Sequence, residues 1–183
     1  KPTLRVYKEQ RINGLPENMV TPPDQVLKRI IEDRKQVTKA RSYSTSINAF
    51  EKIFSWPLKG IITGTYGTKR ILNGKLRAPH YGIDIAAPVG TPVRAPQAGI
   101  IRMVKNLYFT GWTVILDHGH GLSSTFLHLS STKIQMGQRV KKNQIIGNVG
   151  STGRSTGPHL DWRINLLKKR LDPHLVAGEM PKK

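Results

Sequence analysis

The feature that most limits the fold of this chain is a succession of short apolar and β-branched runs that begins at Trp56. Glycine and proline residues separate one run from the next, and no helical periodicity continues through this part of the sequence. Many short strands with turn residues between them are typical of sandwich or barrel-like domains. We therefore predict an all-β main domain, with strands at residues 61–63, 82–86, 92–95, 99–104, 112–117, 123–129, 139–140, 145–149 and 159–165.

Residues 1–55 differ from this main domain, and we treat them as an N-terminal extension. Residues 22–41 carry apolar side chains at helical spacing, which predicts an amphipathic α-helix with Thr21 as its N-cap. We also expect a short β-type segment around residues 4–7 and a serine-rich linker at residues 42–55. The apolar face of the helix either packs on the outside of the main domain or belongs to an arm that gates a groove or joins a partner.

The chain is strongly basic, with 30 Lys and Arg residues against 11 Asp and Glu residues and a net charge of +19. We take the main domain as residues 56–175, followed by a basic tail at residues 176–183. The excess of positive charge favours an anionic partner, such as nucleic acid, acidic lipid or a cell-wall polymer. The aromatic residues are not interleaved with the basic ones as in a base-stacking platform, so we do not expect nucleic acid as the target.

Composition also excludes several kinds of protein. The sequence has no cysteine, which excludes a disulfide framework and a thiolate metal site. No apolar run is long enough to span a bilayer. The chain begins at Lys1 and not at a methionine, so we expect it to be a processed product.

Two distant segments contain residue types that bind metal ions. Read as a β-strand, residues 157–163 place His159 and Asp161 on one face and apolar side chains on the other. Upstream, His80 and Asp84 form a similar pair, with Gly82 between them to let the backbone bend without a Cβ clash. Imidazole and carboxylate groups from both segments are suited to one divalent metal ion.

These histidines also have structural interpretations, which the residues alone leave open. His80 could be a surface-loop histidine, and His159 with Asp161 could form a hydrogen-bonded pair without a metal. His118 and His120 have a His-x-His spacing, but the neighbouring glycines favour a hairpin turn.

Residues 56–173 resemble the M23 family of zinc metallopeptidases, the LytM or lysostaphin-type endopeptidases that cut peptidoglycan cross-links. The family's first motif, His-x-x-x-Asp, is matched at residues 80–84, and its middle motif at Phe-Leu-His-Leu-Ser, residues 126–130. The stretch from 137 to 159 also fits the family. The last motif, usually His-x-His, here reads His-Leu-Asp-Trp-Arg at residues 159–163, which is similar to one branch of the family.

The resemblance implies site residues of three kinds. The implied ligands of a Zn²⁺ ion are His80, Asp84 and Asp161. The implied catalytic residues, which act on the water molecule and the developing oxyanion, are His128 and His159. For substrate binding, the resemblance implies Arg70, near the entrance of the site, and we add Tyr81 as an aromatic residue that could line the groove. His128 also has a structural interpretation, as a residue that caps a core strand.

The aspartate at position 161 changes the expected charge of the metal site. Two histidines and one carboxylate would leave a zinc site formally at +1, whereas one histidine and two carboxylates leave it neutral. We expect a neutral site to be a softer Lewis acid and to acidify its water less.

The function implied by the resemblance is hydrolysis of peptidoglycan peptides in the cell envelope, in the periplasm or outside the cell. The implied fold has antiparallel sheets that form an open, LytM-like groove, to which the sequence adds a helical N-terminal arm. A basic surface would help the protein stay on an anionic wall. The alternative is a catalytically inactive wall-binding module or an activator of a separate amidase.

Overall fold

The computed structural model describes residues 6–181, and β-strands dominate this part of the chain. The helices are α1 (Glu17–Val20), α2 (Asp24–Arg41) and α3 (His174–Ala177), with a 3₁₀ turn at Ala49–Glu51. The strands are β1 (Glu9–Ile12), β2 (Ile61–Gly64), β3 (Lys69–Leu72), β4 (Lys75–Arg77), β5 (Ile83–Ala86), β6 (Pro92–Arg94), β7 (Gly99–Leu107), β8 (Gly111–Gly119), β9 (Leu122–Ser131), β10 (Arg139–Val140), β11 (Ile145–Val149), β12 (His159–Leu166) and β13 (Lys169–Leu171). The predicted all-β main domain with a helical N-terminal arm is confirmed.

A ten-stranded sheet forms the main domain, and its central path runs β10-β7-β8-β9-β12-β5-β2. All of its pairings are antiparallel, and β11, β6 and β13 join it beside this path. Strand β12 lies between β5 and β9. In this register Asp161 is opposite Asp84 on β5 and Leu127 on β9, so the sheet itself brings the two aspartates together.

The predicted alternation along β12 is present in the structure. Leu160 and Trp162 are fully buried in the main hydrophobic core, together with Ile83 and Ile85 of β5. The opposite face of β12 carries the polar residues, as expected for a strand whose side chains alternate. Burial of the apolar face therefore fixes which way the polar face points.

Helix α2 begins at Asp24, slightly later than predicted, and Thr21 is not its N-cap. Pro23 precedes the helix without a side-chain cap, and the Thr21 hydroxyl accepts a hydrogen bond from Lys75 Nζ at 2.6 Å. The physical reason is the Pro22–Pro23 pair, since a residue before proline is disfavoured in the helical conformation. The helix therefore starts only after the second proline. Among residues 6–181, no helix has both the length and the apolar character needed to cross a bilayer.

The N-terminal extension is packed against the main domain in several places. Ala40 of α2 lies in a small apolar cluster with Met103, Leu107 and Ile115. Strand β1 pairs in parallel with β3, in a separate three-stranded sheet that β4 completes. Residues 4 and 5 of the predicted β-type segment lie outside the described residues, and the observed strand starts later, at Glu9.

The segments predicted as a linker and as a basic tail also contact the main domain. In the segment predicted as a linker, the Thr45 carbonyl accepts the His120 N–H at 2.7 Å, and Phe54 is buried in the main core. Val176 and Ala177, which we assigned to the basic tail, belong to α3, and Ala177 is buried.

Candidate metal centre and active site

The three predicted metal ligands meet in the structure at the junction of β5 and β12. His80 precedes β5, Asp84 lies on β5 and Asp161 lies on β12. Nε2 of His80 is 3.0 Å from Oδ1 of Asp84 and 3.4 Å from Oδ2 of Asp161. One donor atom from each of the three residues lies within 4.8 Å of the others, and all three side chains are buried.

The geometry of these three side chains suits coordination of one divalent metal ion better than direct hydrogen bonds among them. Nε2 of His80 and Oδ1 of Asp84 are buried, and their 3.0 Å contact lacks hydrogen-bond geometry, so neither atom has a hydrogen-bond partner among residues 6–181. Two ligands of a tetrahedral zinc ion are about 3.3–3.6 Å apart, given bonds of roughly 2.0–2.2 Å. The separation from His80 to Asp161, 3.4 Å, lies in this range, and the separation from His80 to Asp84, 3.0 Å, is slightly shorter. An imidazole nitrogen with two carboxylate oxygens is also a donor set that zinc accepts.

The electrostatics of His80 are governed by the two aspartates. Burial alone lowers the pKa of His80, but the negative charges of Asp161 and Asp84 outweigh burial and raise it. The buried ring therefore lies in a strongly negative local field. A metal cation and a proton would compete for this position, as is usual for metal-binding histidines.

Each carboxylate of the centre also has an arginine partner. Arg70 Nη2 donates a short hydrogen bond to Oδ2 of Asp84. Nε of Arg163 donates to both oxygens of Asp161, at 3.0 and 3.1 Å. Burial raises the pKa of Asp161, but the charges of Arg163 and His80 outweigh it, so this pKa lies well below its usual value.

The sequence predicts that Arg70 lies near the entrance of the site, but it assigns no role to Arg163. The available signal is the alternation along β12, which puts Arg163 on the same face as Asp161 and His159. An arginine two residues from an implied ligand on one strand face can reach its carboxylate. This pairing was therefore open to prediction from the strand alone.

The catalytic candidate His128 lies on β9 with an unusual backbone. Its φ angle is +63°, and the pairing of β8 with β9 is irregular between Trp112 and Val114. A positive φ at a non-glycine strand residue re-aims the side chain and is common at functional sites. Nδ1 of His128 donates to the Thr152 carbonyl at 2.7 Å, and burial lowers the pKa of His128 to about 4.

The second catalytic candidate, His159, lies beside His128, with 4.8 Å between the ring centroids. Nδ1 of His159 is 2.8 Å from the Gly157 carbonyl, to which it donates. Its Nε2 lies 3.9 Å from Oδ1 of Asp84, too far for direct pairing. In both rings Nδ1 carries the proton and donates to a backbone carbonyl, so Nε2 remains the acceptor atom.

Gly82 lies at a bend just before β5, where a side chain would clash, as predicted. A Cβ at this position would lie 2.4 Å from Oδ1 of Asp161 and 2.7 Å from the Trp162 carbonyl oxygen. The clash is with the side chain of Asp161 and the backbone of β12, which pass close to this bend. Only a residue without a side chain leaves room for Asp161.

The substrate-binding candidates differ in where the structure places them. Arg70 lines a cavity of about 290 Å³ together with Asp84, His128 and His159, and Ile12 of the N-terminal arm forms part of its wall. Tyr81 lies next to the Tyr66 ring, with 6.2 Å between the centroids. It is absent from the lining of this cavity, so its role stays a prediction.

The His-x-His pair in the turn region has a structural role, as the glycine pattern indicated. His118 is fully buried, with Nδ1 2.9 Å from the Ala98 carbonyl and Nε2 2.7 Å from the Ser124 hydroxyl. His120 lies in the β8–β9 turn, where its Nε2 is 2.9 Å from Oδ1 of Asn48. The two rings therefore serve different contacts and do not converge.

Comparison with known proteins agrees with this geometry. Residues 78–173 match the sequence model of Peptidase family M23. Peptidoglycan DD-endopeptidase ShyA of Vibrio cholerae is 37% identical over 123 residues, which cover 63% of this chain and 26% of ShyA. Cell division protein DipM of Caulobacter vibrioides is 33% identical over 164 residues, which cover 86% of this chain and 26% of DipM. The chain spans about a quarter of the length of these curated relatives.

Solved structures show the same architecture. A Pseudomonas aeruginosa protein attributed to peptidase M23 superposes with a TM-score of 0.76 at 35% identity, over 85% of this chain and 63% of that one. A zinc-containing peptidase from Vibrio cholerae gives 0.63 at 29% identity, over 71% and 41% of the two chains. The catalytic domain of lysostaphin from Staphylococcus simulans gives 0.53 at 29% identity, over 70% and 90%. The predicted LytM- and lysostaphin-like fold is confirmed.

Proposed function

Because this chain belongs to peptidase family M23, we propose that it is a zinc-dependent endopeptidase that hydrolyses the peptide part of peptidoglycan. The observation that carries this proposal is the convergence of His80, Asp84 and Asp161, in which buried atoms of His80 and Asp84 lie close together without a hydrogen bond. The relative ShyA is named a peptidoglycan DD-endopeptidase, which supports the same substrate class.

In the proposed mechanism, the three metal ligands have one role, and His128 and His159 have another. A zinc ion bound by His80, Asp84 and Asp161 would lower the pKa of a water molecule and polarise the scissile carbonyl. His128 is neutral at pH 7, because burial keeps its pKa at about 4, so its Nε2 can accept a proton. A ring protonated at Nε2 can then donate to the carbonyl oxygen or to the leaving amine. His159 lies within 4.8 Å of His128, close enough to share this task.

We assign this chemistry to residues 56–175 and regard residues 1–55 as an extension that shapes the groove. Contacts of the arm with the cavity wall support the second assignment. Arg70 is proposed as a substrate contact as well as the partner of Asp84, and Tyr81 as a further contact. A place in the cell envelope, in the periplasm or outside the cell, follows from the proposed substrate.

The proposal is tested by measuring zinc content in wild type and in an Asp161→Asn variant. We expect about one zinc ion per wild-type chain, since three ligands are in place, and at least tenfold weaker zinc binding in the variant. Asp117→Asn is a matched control, because Asp117 is also buried and paired with an arginine, Arg102, but lies away from the centre. The control should lose stability and keep its zinc.

Activity is tested on the same proteins with purified muropeptides, with and without a chelator. Release of a new amine that the chelator abolishes, and that Asp161→Asn lacks, supports the peptidase. Binding of the wall material without any release favours the inactive wall-binding module or amidase activator. Zinc retention by Asp161→Asn equal to that of wild type would remove Asp161 from the ligand set.

A further inference from the structure

A second cavity lies between helix α2 and the sheet, beside the candidate metal centre. Its volume is about 480 Å³; α2 supplies one wall, and β7, β8, β9 and β12 supply the other. His128 and Asp161 belong to its lining, so it adjoins the proposed catalytic groups. We call it the arginine cavity, because its lining includes Arg34, Arg41, Arg70, Arg154, Arg163 and Arg170.

The acidic residues of the arginine cavity do not neutralise this charge. Asp33 and Asp161 are the acidic residues in its lining. Asp161 is engaged by Arg163 and belongs to the proposed ligand set. Asp33 lies on α2, and its Oδ2 accepts the backbone N–H of Tyr108 at 2.8 Å. Arg70 is paired with Asp84, but the cavity still has an excess of arginines that form no ion pair among residues 6–181.

Three partly buried arginines of the cavity form no ion pair within residues 6–181: Arg41, Arg154 and Arg170. Their hydrogen bonds go to neutral oxygens instead. Arg41 Nη2 donates to the Thr125 hydroxyl at 3.0 Å, and Arg170 Nη1 donates to Oδ1 of Asn165 at 2.9 Å. Arg154 Nη1 donates to the Met19 carbonyl at 3.2 Å. Partly desolvated cations held in this way attract an anion strongly.

Arg41 is the most constrained of the three. Its Nε is buried without a hydrogen-bond partner in the part of the chain that the structure describes. Burial, with the charges of Arg170 and Arg163, lowers the pKa of Arg41 to about 8. A guanidinium group with unused donors in such a place matches the two oxygens of a carboxylate.

We propose that the arginine cavity binds a carboxylate group of the peptide substrate, with Arg41 and Arg170 as its donors. The identity of the substrate rests on the proposed function, whereas the anion site rests on the cavity itself. Since His128 and Asp161 line the same cavity, a carboxylate held there belongs to a residue close to the scissile bond. The site would therefore select peptides with a free carboxylate at that place over their amides.

Anion binding can be measured without hydrolysis, by titrating zinc-free protein with inorganic phosphate at constant ionic strength. We expect saturable binding to wild type, and at least about tenfold weaker binding in Arg41→Gln and in Arg170→Gln, since each removes a charge-assisted donor. Lys168→Gln is the matched control, because it removes the same charge from an exposed residue of the β12–β13 turn. It should bind phosphate as wild type does.

The melting temperature gives a second, independent measurement of phosphate binding. Without phosphate, Arg41→Gln should melt no lower than wild type, because it removes an unpaired buried cation. With phosphate, wild type and Lys168→Gln should gain stability, and Arg41→Gln should gain little. Equal phosphate affinities in wild type and in both arginine variants would overturn the anion site.

The substrate itself is tested with a muropeptide and the same muropeptide after amidation of its carboxylates. We expect the amidated form to bind wild type at least about tenfold more weakly, with this preference lost in Arg170→Gln. Equal binding of both forms would exclude a carboxylate as the group recognised. Phosphate binding without any muropeptide hydrolysis would reject the proposed peptidase activity and leave the anion site intact.

Discussion

At the scale of single residues, the arginine partners decide the charge of the candidate metal centre. Counting ligands alone gives a formally neutral zinc site, from which we expected a softer Lewis acid. Arg70 and Arg163 lie against the two carboxylates and return positive charge to the centre. The effect expected of Asp161 is therefore offset by Arg163, which also fixes the orientation of that carboxylate.

The Arg163–Asp161 pair leads to a prediction about stability and about its dependence on zinc. Arg163→Ala should lower the free energy of unfolding of the zinc-free protein by about 3 kcal/mol, the low end for a broken buried pair, because the Arg163 side chain is 21% exposed. Zinc should then raise the melting temperature of this variant more than that of wild type, since the cation replaces the lost charge. Thermal unfolding with and without zinc measures both effects.

The matched control for this prediction is Arg102→Ala, which breaks a similar buried pair with Asp117 away from the metal centre. It should also destabilise the zinc-free protein, but zinc should raise its melting temperature only as much as in wild type. The same zinc response in both variants would contradict a link between Arg163 and the metal ligands.

Gly82 gives a second prediction at this scale. In Gly82→Ala, the new Cβ would lie 2.4 Å from Oδ1 of Asp161 and 2.7 Å from the Trp162 carbonyl oxygen, and the strand backbone cannot easily yield. We expect the shift of Asp161 to weaken zinc binding at least about tenfold, with a loss of stability of about 1–3 kcal/mol. A competition titration against a chromogenic chelator measures the affinity.

Gly157→Ala is the control for this variant, because its added Cβ meets no atom within 4 Å. It should leave zinc affinity and stability close to wild type. Zinc affinity in Gly82→Ala equal to that in Gly157→Ala would show that Asp161 does not depend on this close approach.

The site residues were predictable from sequence where motif and strand alternation coincide. His80, Asp84 and Asp161 follow from spacing and family resemblance, and the structure brings them together. The strained backbone of His128 could not be predicted, because its φ of +63° results from an irregular pairing between β8 and β9. Strand register at a bulge depends on the whole sheet and leaves no local signature.

At the scale of elements, strands with an apolar face were predictable and short polar ones were not. Strand β7 continues to Leu107, beyond the predicted end, because Lys105 pairs with Thr113 of β8 although its side chain is exposed. Strand β3 is short and basic, and it is held by β1 from the N-terminal arm as well as by β4. Such long-range pairing overrides local composition, which is why it escapes prediction.

The β8–β9 hairpin contains a buried histidine that makes stability depend on pH. Burial lowers the pKa of His118 to about 4. Because the unfolded chain binds a proton more readily, His118 disfavours the folded state as pH falls below about 6.5 towards 4. This one group should remove about 2 kcal/mol of stability between roughly pH 7 and pH 5.

The test compares zinc-free wild type with His118→Asn, which is less stable at pH 7 but lacks the titrating ring. Its free energy of unfolding, from urea titrations at each pH, should fall less steeply with acid than that of wild type. His120→Asn is the control, since His120 lies exposed in the adjoining turn. Parallel pH profiles for wild type and His118→Asn would contradict the depressed pKa.

At the scale of the whole molecule, net charge governs how strongly the protein is retained on an anionic polymer. A chain of +19 is attracted to an anionic polymer from any direction, and this attraction needs no specific contact. The arginine cavity differs from this general field, because its arginines are partly buried and less screened by salt. Retention on the wall and recognition of a carboxylate should therefore respond differently to ionic strength.

This difference leads to a prediction about four exposed lysines outside the arginine cavity: Lys59, Lys105, Lys141 and Lys168. Changing all four to glutamine should weaken binding to purified cell walls about fivefold to tenfold at low salt, at a few tenths of a kcal/mol per charge. Binding should also depend less steeply on salt, while phosphate affinity of the cavity stays unchanged. The Lys→Arg change at the same four positions keeps the charge and should bind as wild type does. If the glutamine variant binds walls as tightly as the arginine variant, the surface charge plays no part in retention. Co-sedimentation with walls over a series of salt concentrations measures the difference.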